Sequence, residues 1–313
     1  MKKPLIVVSG PTATGKSSLA VRLAGDIGGE IVSADSMQVY TGMDIGTAKI
    51  TKEEMRGIPH HMIDVCPPTT AYSIGDYKNE AEKRIRDIIK RGHIPILVGG
   101  TGFYIHAVLY DADFSEQGSD PSIRKCYEEM LLSDGADRLH ELLRERDPVS
   151  AGMIHKNNTK RVIRALEYLD LTGTRISDHN IAMQQKESPY DFRFFVLNRS
   201  REDLYAAIDK RVDDMIAAGL CEEVQELLTS GAAPGMVSMQ GIGYKEIIEY
   251  INGSISLEEA AGQIKSNTRK YSKRQVTWLK REKNTAWINA PVSEEDYRWI
   301  SEQCTEISES AMR

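Results

Sequence analysis

The chain has no long apolar run at its start. After two lysines the first hydrophobic stretch, Leu5 to Val8, is broken by Ser9-Gly10-Pro11, too short for a signal peptide or a membrane span. That predicts a cytoplasmic protein. Cysteine is scarce: Cys66, Cys126, Cys221 and Cys304 lie far apart and form no CxxC pair, so neither a disulfide framework nor a zinc site is indicated. There is no excess of positive charge either, the net charge being −6, where a nucleic-acid partner usually leaves a basic footprint. Internal repeats and low-complexity segments are missing too. What is present is ordinary globular composition, 313 residues with 41% hydrophobic and 27% charged, enough for one large core or two modest ones. The net charge also hides a segregation. Between Lys265 and Lys283 there are eight basic residues and one acid, Glu282, so a strongly basic segment sits in an acidic chain.

Residues 4–8, 29–34 and 94–98 are short apolar runs rich in β-branched residues, the pattern of buried parallel strands. Helical periodicity separates them over Lys16–Ile27 and Ile74–Arg91. From about Asp113 the strands stop, and Pro121–Ser133, Ala136–Arg146 and Thr159–Leu171 are helical, with Asp120-Pro121 a start signal and Gly173 a stop. A strand returns at Phe192–Asn198. The expected organisation is an α/β core of residues 1–112 and 191–313 with a helical insertion domain over 113–190. Ser200 with Asp203 and Ser256 with Glu259 resemble helix starts. In the helix predicted over Leu257–Arg281, Ile264, Tyr271 and Trp278 recur every seven residues as a buried stripe, with Arg269, Lys270, Lys273 and Arg274 off it.

Gly10-Pro11-Thr12-Ala13-Thr14-Gly15-Lys16-Ser17 fits G-x-x-x-x-G-K-[ST] in full, after a strand and before a helix. In that setting the backbone N–H groups of Gly10 and Thr12 to Gly15 turn around an anion, Lys16 adds charge and Ser17 can ligate Mg²⁺. The fold expected is a P-loop NTPase-like doubly wound parallel sheet. What becomes of the phosphate stays open at this point: γ-phosphoryl transfer, hydrolysis, or departure as a leaving group. A phosphoryl-transfer enzyme usually places a second carboxylate at a strand end, yet the strand Ile94–Val98 runs into Gly99-Gly100-Thr101-Gly102. Asp35 ends the strand before it and falls on the same sheet edge as the P-loop. Its residue type serves a turn equally well. Thr101 reaches that edge too. His60, His61 and Asp64 in "PHHMIDV" offer metal-binding side chains without a third partner at ligand spacing, which favours a structural role.

The stretches "GPTATGKS", "DSMQVYTGMDIGTAK", "PHHMIDV", "YSIGDY", "ILVGGTGFY", "NTKRVIRALE", "QGIGYKE" and "TRKYSKRQVTWLK" closely resemble the tRNA dimethylallyltransferases, or tRNA isopentenyltransferases, over about residues 6–280. The resemblance implies transfer of a dimethylallyl group from dimethylallyl diphosphate to N6 of the adenosine 3′ of the anticodon, in tRNAs reading codons that begin with U. Diphosphate would then leave from the P-loop, with Mg²⁺ on Ser17. It further implies Asp35 as general base and Thr101 as an orienting hydroxyl. By the same resemblance the tRNA anticodon stem-loop contacts Asp35, Ser36, Met37, Gln38, Thr101, Arg124, Thr159, Lys160, Arg161, Val162 and Ile163. Gln240, Gly241, Gly243, Tyr244 and Lys245 belong to that surface, as do Arg269, Lys273 and Arg274 on the basic helix. Lys156 and Arg164 extend the basic character of the insertion. The family's members are mostly monomeric, with no obligate protein partner.

Two other enzyme classes fit parts of the pattern. A transferase acting on free adenine nucleotides shares the core but needs no extended basic segments, and a small-molecule P-loop kinase would consume ATP without RNA. A pure RNA-binding module would leave the P-loop without a task.

Overall fold

The computed structural model describes residues 2–111 and 120–312. In chain order the first half of the α/β unit is β1 (Lys3–Ser9), α1 (Lys16–Ile27), β2 (Gly29–Ser33), α2 (Lys52–Met55) and β3 (His60–His61). It continues with α3 (Ile74–Lys90), β4 (Ile94–Gly99) and α4 (Gly102–Leu109). Four helices follow, α5 (Pro121–Arg146), α6 (Pro148–Met153), α7 (Thr159–Thr172) and α8 (Ile176–Gln185). The chain then returns through β5 (Tyr190–Asn198), α9 (Arg201–Ala217), α10 (Leu220–Thr229), α11 (Tyr244–Ile251) and α12 (Leu257–Leu279). It ends with β6 (Thr285–Asn289) and α13 (Glu294–Met312). Two compact units result, one of residues up to 109 and from 189 onward, the other of 110–188.

In the larger unit six strands form one parallel sheet in the order β3-β2-β4-β1-β5-β6. The inner strands are buried on both faces, which explains their continuous apolar runs: Leu5 to Val8 and Ile96 to Leu97 expose nothing. α1 and α13 pack on one face around Val8, Leu23, Ile31, Ile96, Phe195 and Ile300. Gly15 and Gly28, both left-handed, bound α1. Ser73 with Asp76 and Ser256 with Glu259 form capping boxes on α3 and α12, and Ser200 caps α9 by accepting from the Asp203 N–H.

The smaller unit closes over its own core of Tyr127, Leu139, Leu143, Val162 and Leu166. Its long helix α5 breaks at Gly135, whose φ of 83° is non-helical, and this separates the two helical stretches predicted there. Asp147, fully buried, accepts from the Ser150 and Ser177 hydroxyls at 2.7 Å each and so ties the start of α6 to α8.

Three expectations change. β3 and β6 are strands that the apolar pattern did not show, since one has two residues and the other leaves Trp287 partly exposed at an edge. The α12 stripe is corrected: Ile264 is buried, but Tyr271 and Trp278 are only half-buried, and Ser272, Gln275 and Leu279 take the inner positions. Polar residues sit there because α12 packs on a backbone loop. The basic surplus of α12 is also corrected, because Lys265 pairs with Asp213 at 2.6 Å and Arg269 makes a two-pronged pair with Asp209. Two acids of α9 thus neutralise two of the cations.

Candidate active site

The loops after β2, β4, β1 and β5 leave neighbouring strands at one edge of the sheet, where ligands of open α/β sheets bind. After β1 the chain turns through Gly10 (φ 148°), Ala13 (φ 63°) and Gly15 (φ 86°). A Cβ on Gly10 would overlap the Leu197 carbonyl oxygen, so β5 forms the back wall of the loop. Thr14 Oγ1 and Lys16 Nζ both donate to the Pro11 carbonyl at 2.8 Å. No side chain caps α1, so its first N–H groups are free to face an anion. Ser17 is exposed on that first turn. No cluster of three His, Cys, Asp or Glu among the described residues can hold a metal unaided. A magnesium ion at Ser17 would therefore take most of its ligands from substrate phosphate and water, as this ion commonly does.

Opposite the P-loop lies a wall built from distant segments. Asp35 Oδ1 accepts from the Met37 N–H at 2.9 Å, a local turn that fixes one carboxylate oxygen. Thr101 Oγ1 accepts from the Ser36 N–H at 3.0 Å and donates to Ser36 Oγ at 3.3 Å. The Asp35–Gln38 segment and Thr101 are thereby one assembly. Gln275 of α12 joins this assembly to the P-loop, its amide donating to the Gly100 carbonyl at 2.9 Å and its oxygen accepting from the Thr12 N–H at 3.2 Å. The glycines of the β4 loop make the packing possible. A Cβ on Gly99 would strike the Ala34 backbone, one on Gly100 the Gln275 amide and one on Gly102 the Trp278 ring.

Two residues of this wall were invisible to sequence reasoning. Arg211, in "DKRVDD" of α9, donates to the Thr47 carbonyl at 3.2 Å, is drawn down from its usual range by burial, and feels the charge of Asp35. Lys16 is pulled down to about 8, first by burial and then by Arg211, with Asp35 opposing both. Two cations with one carboxylate make a site short of negative charge, suited to an anion. Tyr271 is pushed up to about 12, by burial and then by Asp35, while it hydrogen-bonds with Thr101 and Gln275. The second missed residue is Glu223 of α10. Its carboxylate accepts from three consecutive backbone N–H groups, Asp44 (2.9 Å), Ile45 (2.6 Å) and Gly46 (3.0 Å), and from the Tyr244 hydroxyl at 2.7 Å. Only a loop seen in three dimensions reveals such a nest.

The other expected contact residues divide. Met37 abuts Gly241, so the 35–38 and 240–245 segments meet. Gln240 is exposed and Lys245 half-buried. Gly243 starts α11, with a φ of 101° and its N–H donated to Glu246. Tyr244 is corrected: it is 1% exposed, held by Glu223, and its ring occupies the space a Gly46 side chain would need. In the smaller unit, Thr159, Lys160 and Arg161 lie on the first turn of α7, with both basic residues exposed. Val162 and Ile163 are corrected, because the helical period turns them into the core. Arg124 reaches the fully buried Glu167 at 2.8 Å, where Arg164 also binds at 3.2 Å. His60 bonds the Ile58 carbonyl at 2.8 Å and His61 bonds Glu30 at 2.6 Å, both as sheet-edge residues.

A family model described as IPP transferase matches residues 38–282, and one described as isopentenyl transferase matches residues 3–68. The chain belongs to the IPP transferase family. A tRNA dimethylallyltransferase of Lachnoclostridium phytofermentans is 50% identical over 97% of this chain and 96% of its own length. Among solved structures, the full-length tRNA isopentenylpyrophosphate transferase of Bacillus halodurans superposes with a TM-score of 0.75 at 40% identity, covering 99% of this chain and 98% of that one. A eukaryotic dimethylallyltransferase described as acting on tRNA gives a TM-score of 0.80 at 30% identity, over 97% of this chain and 77% of that one. The IPP transferase fold is thus the P-loop NTPase-like one, and the chain is a prenyltransferase by kinship. Among the described residues no helix is long and apolar enough to cross a membrane.

Proposed function

We propose that this IPP transferase moves a dimethylallyl group from dimethylallyl diphosphate to N6 of the adenosine 3′ of the anticodon, in tRNAs reading codons that begin with U. The observation that carries the reading is the pairing of a phosphate cradle with Asp35 across one sheet edge, while β4 ends in glycines rather than the acid a kinase would use. The N6–C1 bond forms as the C1–O bond to diphosphate breaks. The N6 proton passes to the Asp35 oxygen that Met37 leaves free, and Thr101 orients the amine. Charge gathers on the departing diphosphate, where Lys16, Arg211 and the P-loop N–H groups other than that of Thr12, which Gln275 holds, receive it. Bound at Ser17, magnesium would supply further electrostatic stabilisation of that leaving group.

An adenine within an RNA loop must leave its stack to reach Asp35, at a cost of a few kcal/mol. Contacts along the tRNA backbone offset this, from the basic residues of α12 that are not paired with acids of α9 and from Lys160 and Arg161. The enzyme works as a cytoplasmic monomer. The test is transfer of radiolabel from dimethylallyl diphosphate: label on tRNA and none on AMP is expected. Label on AMP would make the enzyme a free-nucleotide transferase, and ATP turnover without RNA would make it a kinase.

A further inference from the structure

α9 and α12 run antiparallel and meet through a ladder with a four-residue step. Asp213 faces Lys265, Asp209 faces Arg269, and at the third rung Tyr205 faces Lys273. The first two rungs join a carboxylate to a cation. In the third a phenol stands where a carboxylate would continue the pattern, and a second cation arrives: Arg201 Nε donates to the Tyr205 hydroxyl at 3.3 Å. Arg201 and Arg269 lie 5.3 Å, and Lys273 5.9 Å, from the ring centre. Against the upward push of partial burial, hydrogen bonds from Arg201 and Lys273 hold the phenol below its usual range. Of the two acids between Arg201 and Tyr205, Glu202 and Asp203, the latter is engaged with Ser200 at the helix cap. Two exposed cations therefore converge on a neutral oxygen, an arrangement that is self-repelling until an anion joins it.

We propose that Arg201, Tyr205 and Lys273 form the seat of one backbone phosphate of the RNA substrate, an inference that rests on the tRNA reading above. A phosphodiester brings the single negative charge that the third rung lacks. Arg269 and Lys265, saturated by Asp209 and Asp213, contribute structure rather than RNA contact. The seat lies about 9 Å along α9 from Arg211, taking six residues at a 1.5 Å rise, so an RNA presenting a base to Asp35 lays its backbone past it. The donor's diphosphate is provided for separately by the P-loop, Lys16 and Arg211.

Filter binding of tRNA to the full-length protein across a salt series tests the seat. The double variant Arg201→Ala/Lys273→Ala should flatten the slope of log K against log salt by about 0.7–0.9, the value of one phosphate contact. That corresponds to roughly five- to eightfold weaker binding at 0.1 M salt relative to 1 M. Lys273→Arg and Lys265→Ala should keep the slope, and the KM for dimethylallyl diphosphate should stay within twofold throughout. An unchanged slope in the double variant overturns the seat, as does a loss of twice that size, which would mean two independent phosphates. A raised donor KM with an intact slope would assign the cluster to the diphosphate instead. If the wild-type protein bound tRNA without salt dependence and transferred no label to it, the tRNA reading itself would fall, and the seat with it.

Discussion

The P-loop and the wall facing it reach the same end by opposite routes. The cradle is local: eight consecutive residues, Gly10 to Ser17, bend around an anion because three of them adopt positive φ and α1 begins uncapped. The wall is gathered from residues 35 and 101, in the loops after β2 and β4, and from 211 and 275, on α9 and α12; only Asp35 is aimed by its own sequence context, and the other three are held by partners distant in the chain. A local site tolerates change elsewhere in the fold, save where β5 backs Gly10 and Gln275 holds Thr12. A gathered one responds to changes in residues that never touch substrate.

The contrast is broken most directly at Asp35. Asp35→Asn keeps the size and the bond from the Met37 N–H but cannot take a proton, and single-turnover transfer should fall by roughly 10²–10⁴ with tRNA affinity little changed. A rate within tenfold of wild type at saturating tRNA would leave the wall without its base. On the cradle side, Lys16→Ala should lower kcat/KM for dimethylallyl diphosphate by roughly 10²–10³. Lys16 also gives a pH signature. Its downward displacement to about 8 means that free enzyme loses this positive charge as pH rises through that value. kcat/KM for the donor should therefore decline above pH 8, and Lys16→Arg should carry the decline to higher pH. A flat profile to pH 9.5 would show that Lys16 stays protonated without ligand.

The smallest effect sharpens the contrast through a residue remote from the chemistry. Glu223→Gln replaces a carboxylate holding three backbone N–H groups with a weaker acceptor. Loosening the 44–47 loop frees the Thr47 carbonyl that steadies Arg211. The donor KM should rise roughly fivefold, equivalent to about 1 kcal/mol, with kcat within twofold. A fivefold loss in kcat with KM unchanged would mean instead that the loop acts on the transition state alone.

This difference also decides what the sequence could disclose. Buried strands β1 and β4 declare themselves by apolar runs, as does β5 from Phe194 to Leu197, β2 by the shorter Ile31-Val32, and the cradle by its spacing. β6 does not, because an edge strand of five residues with a partly exposed tryptophan lacks both signals. Arg211 and Glu223 stand among like and opposite charges that read as solvated helix faces. Tyr271 and Trp278 keep the spacing of a core stripe, yet the glycines at 100 and 102 turn that face of α12 into a bridge over a loop. The meaning of "GGTG" and of "RQVTW" becomes legible only when the two are placed together.

The pairing of β1 with β5 sets the order in which this enzyme can be born. Lys3 aligns with Tyr190 and Ser9 with Val196, so the strand that walls the P-loop emerges only after the smaller unit has been synthesised. At 5–20 residues per second that is a wait of roughly 10–40 s. Through that interval β1 has one flank without its partner, an open edge of the kind that invites mispairing, and closure must span a long, slow-forming contact. A nascent chain stopped before residue 198 would carry the whole phosphate-binding motif and still hold no phosphate, a state that immobilised diphosphate could detect on stalled ribosomes.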